Sequence, residues 1–349
     1  MDLIGKPLLK ELGLTSSAIF LAFAIGSLII WATGYSVIGV YRNILAGAFF
    51  GRYAIGQTLT QTTPIIFTSL SFLLAFRCGL FNIGAEGQLY IGAFAAAWVG
   101  FSLHLPVVIH VVAALLAGAI AGALWGFIPG VLKAFKGANE FVTTLMLSYI
   151  ANLFTSWLVS PNGPYHGSQW ANQTVRIANT AELSRILPPT QLSMSVILAI
   201  VMALLIWYIL FRTPTGYEIR SVGANPDAAE YGGINVNRMR ILALTLAGLL
   251  AGLGGAGEIL GTHRRFIDGF SPGYGWDGIA GGLIARSHPI AVIFAAFLIG
   301  ALRAGGMRVD RAGAAPYDIV AVLQGLVIFF VIAPSFIRLS FVKSKKRKV

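Results

Sequence analysis

Residues 79–94 read GLFNIGAEGQLYIGAF and set Asn82, Glu86 and Gln88 among glycines inside strongly apolar sequence. A carboxylate at the centre of a bilayer costs about 2.5–3.5 kcal/mol even on lenient insertion scales, so one that is kept faces protein or water. Glu86 therefore reads either as part of a site or as a carboxylate capping a broken helix. Asn82 and Glu86 are four residues apart and share a helical face. A second polar stripe, Glu140, Thr144, Ser148 and Asn152 with Thr143 beside it, runs through GANEFVTTLMLSYIANLF. Such a stripe lines a pathway or joins helices by hydrogen bonds, while Asn139 and Glu140 at its start also suit N-terminal caps. Phe81, Tyr90, Tyr149 and Trp276 are the aromatic residues nearest these groups, a set that suits a ligand able to stack and hydrogen-bond, such as a nucleobase.

The first stretch has an internal counterpart. Placing Phe81 on Phe270 aligns FNIGAEGQLYIGAF with FSPGYGWDGIAGGL, so that Gly84 meets Gly273, Gln88 meets Asp277 and Gly92 meets Gly281. Under the topology below, the two segments run in opposite directions. That is the pattern of an inverted repeat whose interrupted, glycine-rich helices build a site near the membrane midplane. The path candidates are Asn82, Glu86, Gln88, Thr144, Ser148, Trp276 and Asp277.

Composition states what must position these residues. Of 349 residues, 56% are hydrophobic and 11% charged, and mean hydropathy is +0.78, far from the roughly 25% charged residues of a soluble domain. The expectation is an all-α polytopic membrane protein of about ten helices, near 16–36, 57–76, 83–102, 106–129, 140–160, 192–211, 240–261, 274–287, 289–306 and 317–337. Ten crossings put both termini on one side. Placing them inside puts most of the 25 Lys and Arg in the cytoplasm, including the basic tail 339–349. The net charge of +12 lies beside apolar spans, where it directs topology; nucleic-acid binding is not expected. Lys6 and Lys10 precede an apolar run that continues to about Val40 without a clear cleavage site, which reads as a retained first span after a short N-terminus, 1–15. Gly and Ala around 115–126 and 248–257 read as close helix packing.

Two loops exceed what a connection requires. The outer loop, 161–191, is polar, proline-bounded and carries Tyr165, His166 and Trp170; it suits a cap over the exit or a surface for a partner. The inner loop, 212–239, contains a short capped helix: Asn225 as N-cap, Pro226 at the first position, Asp227 and Glu230 along it, and Gly232–Gly233 at its end. It is a solvated connector or a docking element for a cytoplasmic partner.

Chemistry beyond this is absent from the sequence. There is no G-x-x-x-x-G-K-[ST], GxSxG or HExxH, and the single Cys78 with five scattered His has no zinc spacing and allows no internal disulfide. The expectation is a conduit, not an enzyme, with no cofactor or metal of its own. It is driven by a separate motor or by an ion gradient; in the latter case Glu86, Glu140 and Asp277 would be the ion sites.

FNIGAEGQLYIGAFAAAW, NEFVTTLMLSYIA and the segment from GYEIRSVGANPDAAEYGGI to LAGLGGAGEILG resemble the permease subunits of bacterial ABC importers in the ribose, branched-chain amino acid and nucleoside group. The resemblance covers about Gln57 to Phe336, and the first two motifs are similar to the nucleoside branch, as are the overall length and long outer loop to its larger permease. It implies alternating access for nucleosides within a bacterial inner membrane, with ribose, another small sugar or an amino acid as the alternative cargo. It also implies a second, different permease, two cytoplasmic ATPase subunits that bind the ATP, and an extracytoplasmic solute-binding protein. Finally, it implies that Ala224, Asn225, Pro226, Asp227, Ala228, Ala229, Glu230, Gly232 and Gly233 form the coupling helix seated on the ATPase.

Overall fold

The computed structural model describes residues 20–167 and 171–346, with side chains to residue 331. The predicted N-terminus 1–15, Trp170 and the side chains of the basic tail lie outside the described residues. Within them the chain is helical: α1 (Phe20–Ala32), α2 (Val37–Phe49), α3 (Arg52–Arg77), α4 (Ala85–Ser102), α5 (Val107–Lys136), α6 (Glu140–Val159), α7 (Ser195–Arg212), α8 (Pro214–Ala224), α9 (Pro226–Tyr231), α10 (Val236–Glu258), α11 (Tyr274–Ile284), α12 (Pro289–Arg311) and α13 (Tyr317–Lys346). Among the described residues, six helices are long and apolar enough to cross a membrane.

The chain divides into two compact units. The smaller contains residues up to Thr58 and from Ala301 onward. Here the predicted first span, 16–36, is corrected. The helix ends at Ala32, the chain turns at Gly34 with φ +84°, and Ser36 caps the unforeseen α2 by accepting from Gly39 N–H at 3.2 Å. Apolar composition runs straight through this turn, so hydropathy alone joins what Gly34 separates. Tyr41 folds α2 back on α1, its hydroxyl donating to the Phe23 carbonyl at 2.7 Å, and Gly305 lets α12 approach Ile44 of α2.

The larger unit, Leu59–Gly300, is organised on α3 and α10. The apolar window of α3 is 89% buried and carries Phe67, Phe72 and Leu70 with no exposed surface, whereas α5 is only 28% buried. The two faces of α5 explain this. Gly118, Gly122 and Gly126 lie on α10 at Ala256, Gly252 and Gly248, while Leu116, Ile120 and Leu124 point outward. Spacing by four puts each set on one stripe, and with no Cβ between them the two backbones touch directly.

The predicted crossing at 274–287 is also corrected. α11 has 11 residues. At 1.5 Å per residue it is about 16 Å long, roughly half the hydrocarbon thickness. Among the described residues, α11 is therefore not a full crossing by itself, in keeping with the expected interrupted helices.

A Cβ at Gly122 or Gly252 would press on backbone of the opposing helix, which cannot withdraw without separating the pair. Gly252→Val is expected to lower stability by about 1–3 kcal/mol. Thermal unfolding of purified protein in micelles measures it; an unchanged midpoint would mean that the α5–α10 seam is looser than described.

Candidate functional site

α4 and α11 are both interrupted helices whose first turns lie inside the protein. The segment leading into α4, from Cys78 to Gly84, is irregular, and Gly84 at its N-cap supplies no side chain. A helix start leaves its first N–H groups without helical partners, and where water is excluded each needs another acceptor. The polar residues noticed in the sequence supply them. Thr144 accepts from Ile83 N–H at 3.2 Å, Ser148 from Gly87 N–H at 2.8 Å, and Asn82 Oδ1 from Gly84 N–H at 3.0 Å. Asn82 Nδ2 then donates to Gln88 Oε1 at 3.0 Å and to Ser71 at 3.2 Å, and Gln88 returns a bond to Asn82 Oδ1 at 3.4 Å. Asn82 and Thr144 are fully buried, and Gln88 nearly so.

Glu86 reaches across to the other half. Its Oε2 accepts from Gly275 N–H, in the first turn of α11. The approach requires glycine: a Cβ at position 275 would fall 2.5 Å from the Glu86 nitrogen. These two residues are 189 positions apart, which is also the offset between Phe81 and Phe270. By the same offset Gly84 and Gly273 are the two N-caps, and α4 and α11 begin at Ala85 and Tyr274. At this contact two positive helix ends lie close together with the Glu86 side chain between them.

The α11 side is braced independently. Gly273, at φ +97°, turns the chain into α11, and Ser271 Oγ accepts from the N–H groups of Gly273 and Tyr274 at 3.2 and 3.1 Å. Tyr274 OH donates to Gln61 at 3.0 Å, while its carbonyl accepts from Thr68 at 2.8 Å. Asp277 is buried in the first turn of α11, and Trp276 beside it is 52% exposed. The aromatic set is dispersed: Phe81 packs on Phe72, Phe76 and Phe141, Tyr90 meets Phe266 edge-on and Phe270 at a tilt, and Tyr149 is exposed. Asn139 caps α6 through Phe141 N–H at 2.9 Å, and Glu140 pairs with Lys133 at 2.7 Å.

The inner loop contains more helix than expected. α8, unforeseen, starts at Thr213, whose hydroxyl accepts from Gly216 N–H at 3.2 Å. Asn225 both ends α8 and caps α9, accepting from Ala228 N–H at 3.1 Å; Gly232 ends α9, and Gly233 turns away at φ +81°. On α9, Ala229 is buried and Tyr231 is 97% exposed. Gly223 of α8 lies against the carbonyl of Arg77 and the backbone of Gly79, where a Cβ would not fit. The turn that feeds the broken α4 is thus packed directly on the inner helices. Arg77 extends the contact, donating from Nε to the Ser287 carbonyl at 2.8 Å just past α11, and it shares the Phe211 ring with Arg220. Sequence reasoning missed this hub; the glycines in CGLF and SVGAN were its only trace.

The outer loop is laced to the segment that precedes α11. Thr174 N–H donates to the Phe266 carbonyl at 2.9 Å, Ile177 N–H to that of Arg264 at 3.0 Å, and Glu182 receives both Arg176 and Arg264, at 2.8 and 3.1 Å. His110 adds a bond to Thr180 at 2.8 Å.

Comparison with known proteins adds a family. A model described as branched-chain amino acid transport system, permease component, matches residues 54–332. The guanosine ABC transporter permease protein NupP of Bacillus subtilis is 37% identical over 95% of both chains. The nucleoside ABC transporter permease protein NupB of Lactococcus lactis is 34% identical over 95% of this chain and 93% of its own. A glucose ABC transporter permease protein of Haloferax volcanii is 30% identical over 91% and 86%. In each of the first two organisms a second guanosine or nucleoside ABC permease also matches.

Ser148→Ala would strand the Gly87 N–H in a buried place. The expected loss is about 1–3 kcal/mol. Thermal unfolding in micelles reads this directly, and a wild-type midpoint would mean that Gly87 has another acceptor.

Proposed function

The chain belongs to the branched-chain amino acid transport system permease family, and from that membership we propose that it is the larger permease of an ATP-driven nucleoside importer. Whole-length similarity to guanosine and nucleoside permeases supports the cargo, and the second matching permease in the same organisms supports a heterodimeric path. As a multi-pass membrane protein of this family it would sit in the bacterial inner membrane with both termini in the cytoplasm, the residues from about 16 to 338 forming the permease domain. ATP belongs to separate cytoplasmic ATPase subunits, and an extracytoplasmic solute-binding protein delivers the nucleoside to the outer loop.

The observation that carries the mechanism is the contact of Gly223 with Arg77 and Gly79. On this reading Ala224 to Gly233 seat on the ATPase, and closure of the ATPase pair displaces α9 and, through Asn225, α8. The displacement then reaches both broken helices: α4 through the Gly79 turn, and α11 through Arg77 and Ser287. Glu86 and Gly275 form the pivot. Rocking about it opens the path to alternate sides, a population shift driven by ATP. Exposed Trp276 lies on the path and stacks the base. Asn82, Glu86, Gln88, Thr144, Ser148 and Asp277 hold the wall behind it in place. Glu140, paired with Lys133, and Glu86, engaged with Gly275, are poorly suited to carry ions, which favours the motor over ion coupling. The similar glucose permease favours a sugar as the second reading of the cargo.

Reconstituted complex is expected to take up radiolabelled guanosine only with ATP, with uridine competing and glucose, ribose and leucine not competing. Competition by glucose alone would move the cargo to sugars, and uptake insensitive to ATP but abolished by an uncoupler would remove the motor.

Gly223→Val, which pushes α8 off the Gly79 turn, is expected to leave ATP hydrolysis running while uptake falls to background. Equal loss of both activities, or neither, in a correctly assembled complex would place coupling elsewhere.

A further inference from the structure

At the ends of α5 and α10 nearest α8, a groove of about 720 Å³ opens between the three helices. Its wall is apolar, formed by Phe127 and Phe135 of α5 with Ile241 and Leu242 of α10, and both phenylalanines are exposed. Glu218 of α8 and Arg238 of α10 also line it. These two carry opposite charge, yet among the described residues their side chains form no ion pair, with each other or with any other group. We propose that this groove is a binding site for one ethanolamine-type phospholipid, its phosphate on Arg238, its ammonium on Glu218 and an acyl chain along the phenylalanine wall.

Depth selects the class of ligand. Phe127 lies nine residues before Lys136, the end of α5, and Thr245, also in the lining, nine after Val236, the start of α10. At 1.5 Å per residue the groove follows the spans for about 13 Å from their polar ends. A water-soluble subunit would satisfy the rim and leave that wall uncovered. A neighbouring spanning helix would cover the wall and bury two charges without partners, which is strongly unfavourable. A phospholipid meets both halves. Guanidinium binds phosphate in a bidentate fork, and a carboxylate pairs with a primary ammonium. A purely anionic headgroup would set its charge against Glu218, and a choline headgroup has no N–H to donate.

The site has a place in the mechanism. Asn235 and Asn237 line both this groove and the adjoining hollow formed with Pro226, Asp227 and Glu230 at α9. A bound lipid would brace the link between α9 and α10, a consequence that rests on the proposed coupling role; binding itself does not.

The test is native mass spectrometry of the full chain in its complex, delipidated in detergent and titrated with phosphatidylethanolamine, phosphatidylglycerol or phosphatidylcholine. The expected result is one phosphatidylethanolamine retained per chain in preference to the others. Glu218→Gln and Arg238→Ala should each weaken retention roughly tenfold, the size of one lost charge-assisted contact. Leu242→Trp, which fills the wall but keeps both charges, should expel the lipid, and Arg212→Ala, outside the groove, should not. Retention without headgroup preference, or unaltered in Glu218→Gln, would overturn the proposal. So would efficient cross-linking of Leu242→Cys to a neighbouring subunit in the complex, since another chain would then occupy the groove. None of these readouts depends on nucleoside uptake.

Discussion

Two helix N-termini meet in the interior of this protein, and each buried backbone N–H there needs an acceptor from outside its own helix. That requirement accounts for a cluster of the polar residues in the interior. Glu86, Asn82, Thr144 and Ser148 serve the start of α4 or its partner, and Ser271 serves the start of α11. The carboxylate has a further reason to be at the junction, because two helix dipoles point their positive ends towards it. Its cost in an apolar setting is offset where an apolar residue would leave Gly275 N–H without this acceptor and both dipoles uncompensated.

Close approach is the second condition, and small residues meet it. Gly275 admits Glu86, the α5–α10 seam brings Gly118, Gly122 and Gly126 onto α10, and Gly223 admits the Arg77–Gly79 turn. Each contact joins backbone to backbone or backbone to a side chain at close range. The inner helices, the turn before α4 and the residue just past α11 therefore form one continuous path of contacts. At the opposite end of α4, hydrogen bonds from Thr174 and Ile177 and the ion pair of Glu182 with Arg264 tie the long loop to the chain entering α11. The broken helices are held from both ends.

Much of this was legible in advance. The repeat offset that pairs Phe81 with Phe270 holds at the helix starts, at the two N-cap glycines and at the Glu86–Gly275 contact. The α9 caps at Asn225 and Gly232 were visible because capping chemistry is local. Of the two readings of the stripe, the hydrogen-bonding one describes Thr144 and Ser148 in this conformation, since their hydroxyls face α4 backbone. What sequence does not reveal is α2, whose start continues the apolar run of α1 across Gly34, the helix α8 within the polar inner loop, and the shortness of α11, because glycine-rich apolar sequence does not show where a helix stops. The aromatic cluster imagined around the polar groups dispersed, since rings close in sequence pack on separate neighbours.

Sequence alone determined that the chain is a polytopic helical protein, and that a carboxylate stands among glycines in one of its segments. Those are properties of composition, spacing and local capping, each set by residues near one another along the chain. Tertiary structure decided that Glu86 answers to Gly275, that Thr144 and Ser148 serve α4, and that Gly223 lies on the turn at Gly79. These depend on which buried N–H groups lack a helical partner and which backbones come within reach. Both follow from how distant helices pack, and a list of residues in order does not contain it.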